Sequence, residues 1–276
     1  MNNFILSNLN KLKQISIPNP EIDLRVLLNY SKYVKNEIIL SNINIEHINL
    51  KKFNKFLNRR LKHEPISKII NKKSFWKDDF YVNRFVLDPR PETEGIIEES
   101  LNLIKNKQKK FTILDIGTGS GAIAISLSRE FNNAKITAID ISDKAIEVAN
   151  KNIKNKKLLN KIETKKILIN KINTSFDLIV SNPPYLTKSE YKDLSIGIKN
   201  FEPKIALNGG DDGLNFYRKL AHKIPKIMNK NAHLIIEIGE RQFNSCKEIF
   251  KLSGLNYIKK RQDLQKKDRI MLLSKL

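Results

Sequence analysis

"FTILDIGTGSGAIAISLSREF", residues 111–131, joins an apolar run to a helix through a turn holding three glycines. The run "FTILDI" (111–116) has the near-continuous apolar character of a strand covered on both faces. A strand that feeds a helix through glycines is the opening unit of a parallel α/β sheet, and ligands of such sheets sit at the carboxyl ends of the strands. The pattern continues downstream. "KITAID" (135–140) reads as a strand, 142–153 as a helix, and 162–169 and 176–181 as further strands. A helix at 213–228 with a late kink at Pro225, a strand at 232–238, a helix at 241–252 and strands near 255–260 and 269–273 complete it. The last two strands are joined too tightly for a helical crossover, which predicts an antiparallel pair. The expected class is therefore α/β, a mostly parallel sheet with helices on both faces and an antiparallel last strand.

Upstream the pattern differs. "EIDLRVLLNYSKY" (21–33) and "IEHINLKKFNKFLNRRLKHE" (45–64) space apolar residues three and four apart, so residues 1 to about 64 read as helical. "SFWKDDFYVNRFVLD" (74–88) alternates like a β-hairpin turning at "KDD", and 89–104 starts a helix after its prolines with acidic residues in the first turn. The expected boundaries are a small helical domain at 1–70, a hairpin linker at 71–90 and a catalytic domain at 91–276.

The chain has 276 residues, 40% of them apolar and 29% charged. No apolar run approaches the ~20 residues of a membrane helix, and the first residues lack a signal-peptide pattern. The single cysteine, Cys246, excludes an internal disulfide and points to a reducing compartment, expected to be the cytoplasm. The four histidines lack ligand spacing, so no metal site is expected. The net charge of +22 invites a nucleic-acid reading. Lysine, asparagine and isoleucine are abundant throughout, however, and no basic block interleaves with aromatics, so compositional bias is the preferred explanation.

Gly117, Gly119 and Gly121 are spaced G-x-G-x-G, unlike the fingerprint of dinucleotide binders, and no Gly-Lys-Ser/Thr follows as in a P-loop. Asp140 ends the second strand, where a carboxylate suits a ribose diol, and Asp115 precedes the glycines, where it suits an ammonium group. A ligand with an amino-acid end and a ribose, such as S-adenosylmethionine, matches that pair. "SNPPY" (181–185) follows the strand "FDLIV" and would reach the same sheet edge. The Asn182 oxygen and a carbonyl of the Pro183–Pro184 turn would hold an NH2 group and favour the charge that develops as its nitrogen is alkylated. The prolines fix where those acceptors point, and Tyr185 would lie against a planar group.

"DIGTGSGAIAISL", Asp140 and "FDLIVSNPPY" resemble class I, Rossmann-like S-adenosylmethionine-dependent methyltransferases acting on exocyclic or amide nitrogens. "VLDPRPETE" (86–94), "NRRLKHEPISKI" (58–69) and "FEPKIALNGGDDGL" (201–214) narrow this to the protein glutamine-N5 methyltransferases, with the release factor glutamine methyltransferase family the best fit. The resemblance implies S-adenosylmethionine as cofactor and the Gly-Gly-Gln glutamine of peptide chain release factors as substrate, bound with the help of the N-terminal helices. It assigns Asp115, Gly117, Thr118, Gly119, Gly121, Asp140 and Asn182 to the cofactor, and Asn182, Pro183 and Tyr185 to catalysis. Pro184, Arg90, Glu92 and Thr93 fall to the substrate cleft with Pro91, while Glu202 and Pro203 are structural or cleft-lining, with Asp211 and Asp212 in the same loop. Two departures stand out: 169–175 offers Asn170 but no carboxylate for the adenine end, and His63 occupies a position where glycine is usual. Competing readings are a ribosomal-protein glutamine methyltransferase and a DNA or RNA amino-group methyltransferase. Against the latter, the fold uses the residues after Tyr185, leaving no target-recognition module. A monomer needing neither nucleic acid nor membrane is expected.

Overall fold

A computed structural model describes residues 3–33 and 43–275. Residues 34–42, within the stretch expected to be helical, lie outside the described residues. In chain order the first elements are α1 (Asn3–Gln14), α2 (Pro20–Asn29), α3 (Leu50–Arg60), α4 (Ile66–Ile70), β1 (Lys73–Phe75), β2 (Asp78–Phe80) and α5 (Glu94–Leu103). Next are β3 (Phe111–Ile116), α6 (Ala122–Glu130), β4 (Ala134–Asp140), α7 (Asp143–Asn155), β5 (Ile162–Lys166) and β6 (Phe176–Ser181). The short β7 (Leu186–Thr187), α8 (Lys188–Asp193), α9 (Ile196–Phe201) and β8 (Asn208–Gly210) precede α10 (Asn215–Lys223), β9 (Met228–Glu237), α11 (Phe243–Leu252), β10 (Leu255–Gln262) and β11 (Asp268–Lys275).

The chain forms two compact units, Met1–Lys72 with Ser195–Phe201, and Lys73–Leu194 with Glu202–Leu276. The first is helical. Its core includes Ile5, Leu12, Leu24, Leu27, Leu28, Phe53 and Leu57, residues spaced to form one face of each helix. Pro20 sits in the first turn of α2 with Glu21 and Asp23, where its missing N–H costs nothing and the acids oppose the helix dipole. The expected helix at 45–64 is shorter: residues 45–47 form a single 3-10 turn, and Asn49 caps α3 by accepting the Lys52 amide at 2.9 Å. Just beyond α3, His63 has φ +63°, a left-handed conformation that explains why glycine suits this position. The Gly197 backbone lies against the His63 carbonyl, so close that a Cβ there would meet it at 2.7 Å.

The second unit is built on a sheet ordered β10-β11-β9-β6-β3-β4-β5. Strands β9, β6, β3, β4 and β5 pair in parallel, while β11 runs antiparallel to both β9 and β10. The antiparallel last strand is as expected from its tight connection. Alternate residues face opposite layers. Ile113, Leu178, Val180, Ile235 and Leu272 pack with α5, α6 and α7, whereas Leu114, Ile116, Ile179, Leu234, Ile236 and Met271 pack with α10 and α11. The chain leaves β3 for β4 and β5 on one side and returns to β6 on the other. That reversal between β3 and β6 is a topological switch point, and its carboxyl edge is a natural ligand crevice.

Several local expectations change. The hairpin is confined to 73–80, and its turn is Trp76–Lys77, with Trp76 at φ +54°, instead of "KDD". Asp78 is a strand residue paired with Phe75, and its carboxylate takes Lys156 at 2.8 Å and Arg129 at 2.6 Å. Strand β5 stops at Lys166, and residues 169–171 form a 3-10 turn. Helix α10 ends at Lys223 and gives way to a 3-10 turn around Pro225. Strand β9 begins earlier than expected, at Met228.

Candidate functional site

Ile116 at the end of β3 is the register partner of Ser181 at the end of β6, and the Ser181 hydroxyl donates to the Ile116 carbonyl at 2.9 Å. The following residues, Gly117 and Asn182, therefore leave the sheet side by side. They open into a cavity of about 460 Å³ that Gly119, Asp140, Pro183, Pro184 and the apolar segments Phe85, Val86, Leu87 and Ile167, Leu168, Ile169 also line. The glycine loop and the "NPPY" turn thus share one cleft, though they come from segments far apart in the sequence.

Gly117, Gly119 and Gly121 have φ of +74°, +55° and +80°, so the loop needs residues free to adopt left-handed backbone. This conformation aims the Gly119 N–H at Asp140 Oδ2 (3.0 Å), while the Ser142 N–H donates to Oδ1 (3.0 Å). Burial holds the Asp140 carboxyl above its usual range, and those amides oppose the shift. Two amides leave the remaining lone pairs of Asp140 available to a ligand in the cavity. Asp115 is placed differently. It is fully buried, does not line the cavity and accepts the Thr118 hydroxyl at 2.6 Å. Burial raises its carboxyl to about 7, against the Thr118 hydrogen bond and the Ala124 amide. Thr118 and Gly121 are likewise buried and do not line the cavity. A glycine cradle, a carboxylate at the end of β4 and an apolar slot between Ile141 and Ile167–Ile169 fit a nucleoside carrying a flat heterocycle. Asn170 is exposed and outside the lining, so the slot is apolar where the sequence offered only that amide.

The "NPPY" turn is held from behind by a carboxylate that the sequence reading missed. Glu237, at the end of β9, is 1% exposed. Its Oε2 accepts the Thr93 hydroxyl at 2.6 Å and its Oε1 the Tyr185 hydroxyl at 3.2 Å. Asn182 Nδ2 donates to Thr93 Oγ1 at 2.9 Å. Burial raises the Glu237 carboxyl to about 7, its two hydrogen bonds pulling the other way. The signal was a lone acid inside the apolar strand "AHLIIEI", since an acid is seldom buried without partners. Gln242 completes the support. Its Nε2 donates to the Tyr185 carbonyl (2.8 Å), and its Oε1 accepts the Gly239 amide (3.0 Å) and the Tyr217 hydroxyl (3.3 Å). Gly213, at φ +74°, backs the same carbonyl; a Cβ there would overlap the Tyr185 oxygen and Gln242 Nε2. "GGDDGL" therefore has a local purpose: its glycine lets two loops touch.

Other sequence candidates are dispersed. Arg90 pairs with buried Glu202 at 2.6 Å. Glu94 accepts the Trp76 amide at 2.7 Å and so pins the hairpin turn, and Glu92 and Pro91 are exposed. Asp211 and Asp212 form surface pairs with Lys188 and Arg218. Pro203 lines the cavity. Cys246 is buried in the core under α11, where burial lifts its thiol to about 12. Among the described residues no helix is long and apolar enough to cross a membrane, and no group of three or more His, Cys, Asp or Glu side chains is placed to hold a metal ion.

Comparison with known proteins agrees with this architecture. The methyltransferase small domain family matches residues 99–199. A release factor glutamine methyltransferase from Caulobacter vibrioides is 36% identical, over 95% of this chain and 92% of its own length. A bifunctional methyltransferase from Rickettsia typhi is also 36% identical, over 98% of this chain. The chain spans about half the length of such bifunctional relatives, 56% of the R. typhi protein. Among solved structures, the ribosomal protein L11 methylase of Lactobacillus delbrueckii subsp. bulgaricus shares the fold, with a TM-score of 0.52 at 20% identity over 68% of this chain and 82% of that one.

Proposed function

Because the chain belongs to the release factor glutamine methyltransferase family, we propose that it methylates the side-chain amide nitrogen of the glutamine in the Gly-Gly-Gln motif of peptide chain release factors, with S-adenosyl-L-methionine as methyl donor. The observation that carries this reading is the shared exit of Gly117 and Asn182 from paired strand ends, which sets a nucleoside cradle beside an amide acceptor. Bound there, the cofactor supplies a methyl group activated on a sulfonium.

In this reading the chain's own residues bind, orient and desolvate. Asp140 accepts the ribose hydroxyls, the Gly117–Gly119 backbone lets the ligand approach closely, and Ile141 with Ile167–Ile169 covers the adenine. Asp115 and Thr118 hold the loop from below by the hydrogen bond between them. Asn182 Oδ1 accepts one N–H of the substrate amide, and a carbonyl in the Pro183–Pro184 turn accepts the other. As nitrogen gains positive charge these acceptors bind more tightly, so they lower the barrier and not merely the Michaelis constant. A primary amide is a poor nucleophile, which makes this preorganisation the main contribution. Tyr185, expected to lie against the amide, does not line the cavity and stiffens its wall from behind with its hydroxyl on Glu237, and Arg90 with Glu202 sets the position of the segment before α5. The helical unit at Met1–Lys72 holds the body of the release factor. One copy of the chain suffices, and the basic surface is not required for chemistry.

Incubation of the purified protein with a release factor and cofactor labelled in the methyl group tests the reading. Label should be found on the Gly-Gly-Gln glutamine by peptide mass spectrometry and vanish when that residue is replaced by asparagine. Label appearing instead on a ribosomal protein or in nuclease-sensitive material overturns it.

A further inference from the structure

We propose that Glu237, acting through Thr93, is a positioning residue that fixes which end of the Asn182 side-chain amide faces the cavity. The inference deepens the function proposed above and rests on it only for the identity of the NH2 group received.

Counting protons fixes the orientation. A threonine hydroxyl has one proton and two lone pairs. With Glu237 in its ionised form, Thr93 spends its proton on Oε2, at 2.6 Å, where the buried carboxylate is an acceptor. Its oxygen is then limited to accepting, and the group presented to it is Asn182 Nδ2, at 2.9 Å. Asn182 is attached to the end of β6, so turning Nδ2 toward Thr93 turns Oδ1 the other way. Among the described residues no donor occupies that oxygen, and Asn182 lines the cavity. The reverse amide orientation would set Oδ1 against a hydroxyl with no proton left to give, a repulsive contact. An amide donor at the mouth of the cleft would also reject the substrate NH2 group. Orientation of this single amide is therefore the difference between a site that receives an NH2 and one that repels it.

The same carboxylate serves the other flank of the turn. Glu237 Oε1 takes the Tyr185 hydroxyl, so both oxygens act as acceptors and one buried side chain holds the first and last residues of "NPPY". Strand β9 anchors it rigidly, since the neighbouring Ile236 pairs with Ser181 of β6 on one side and Met271 of β11 on the other.

A set of variants at 93 and 182 decides the matter. Thr93→Val removes the hydroxyl at constant size and should lower kcat about 10²-fold, with cofactor affinity and the release-factor KM little changed. Thr93→Ser should recover most of that rate. In an Asn182→Ala background Thr93→Val should have no further effect, because the relay acts only through that amide. A purely structural Thr93 would instead lower the rate by the same factor in both backgrounds, which overturns the proposal. A second readout does not depend on turnover. In 15N spectra of the Asn side chains, one Asn182 NH2 proton should exchange slowly with solvent in the wild type and in Thr93→Ser, and rapidly in Thr93→Val. Unchanged exchange in Thr93→Val refutes the relay whatever the substrate is. Absence of methyl transfer by the wild type, with exchange behaving as stated, refutes the function and leaves the relay standing.

Discussion

Replacing Gly213 by alanine probes how strongly the "NPPY" turn depends on the loop behind it. Two costs follow from the structure. Gly213 has φ +74°, and a side chain in left-handed backbone costs roughly 1–2 kcal/mol. The new Cβ would also lie inside the 3.0 Å that real Cβ atoms keep from the Tyr185 carbonyl oxygen, and against Gln242 Nε2. Relieving the overlap parts Gln242 from that carbonyl and leaves the oxygen unsatisfied, at about 1–3 kcal/mol. The total is about 2–5 kcal/mol of stability, accompanied by a shift of Tyr185 on the order of 1 Å, which is enough to slow an oriented reaction ~10²-fold. Gly254→Ala is the matched control. Gly254 has φ +86°, but nothing lies within 4 Å of a Cβ built there, so only the backbone cost of roughly 1–2 kcal/mol applies. Urea unfolding of both variants, with methyl-transfer rates at saturating cofactor, separates the two contributions. If Gly213→Ala is no less stable than Gly254→Ala and keeps full kcat, the contact with Tyr185 does not support the turn and the reasoning fails.

Asp140→Ala should weaken cofactor binding about 10- to 100-fold, the value of one charged hydrogen bond at roughly 1.5–3 kcal/mol; unchanged affinity in calorimetry would remove Asp140 from the ligand. Folding raises the Glu237 carboxyl from 4.5 to about 7, so its contribution to stability is fully present below pH 4.5 and is lost as pH rises through 7. At ~1.4 kcal/mol per pH unit the loss is on the order of 3 kcal/mol, and Glu237→Gln should flatten the unfolding profile between pH 4.5 and 7. An identical slope in the variant would assign the pH dependence elsewhere. His63→Gly should stabilise the protein by about 0.5–1 kcal/mol by releasing left-handed strain, partly offset by the freedom glycine gains when unfolded; a loss of stability in urea would show that the imidazole makes compensating contacts.

What could be read from the sequence is what is locally encoded. The glycine loop and "NPPY" announce themselves because left-handed turns and double prolines leave little choice of residue, and apolar strands alternate with helices at a period that needs no partner to recognise. Glu237 was hidden for the opposite reason. Its meaning depends on Thr93 and Tyr185, which lie 144 and 52 positions away, and an acid at a strand end reads as a surface residue when alone. "KDD" reads as a turn by composition, yet Asp78 pairs as a strand residue, and the partners of its carboxylate, Arg129 and Lys156, are supplied by α6 and α7. Asp115 was legible as an acid before the glycines, but its depth was not: it is fully buried and does not line the cavity. One position separates the cavity wall from the layer beneath it, and an apolar strand buried on both faces does not reveal which layer its last polar residue joins.

The pairing of β3 with β6 also makes the site divisible. Everything that would hold the nucleoside's ribose comes from β3 through β4 and its loops, and what would grip the amide comes from β6 and β9, with Thr93 reaching across from the segment before α5. Residues 173–175, between the two sets, are exposed. A chain cut there yields an N-terminal piece carrying the glycine loop and a C-terminal piece carrying "NPPY", joined in the intact protein by the Ile116–Ser181 seam. Neither piece holds a whole cleft, so methyl transfer from a mixture of the two would register reassembly of the sheet along that seam.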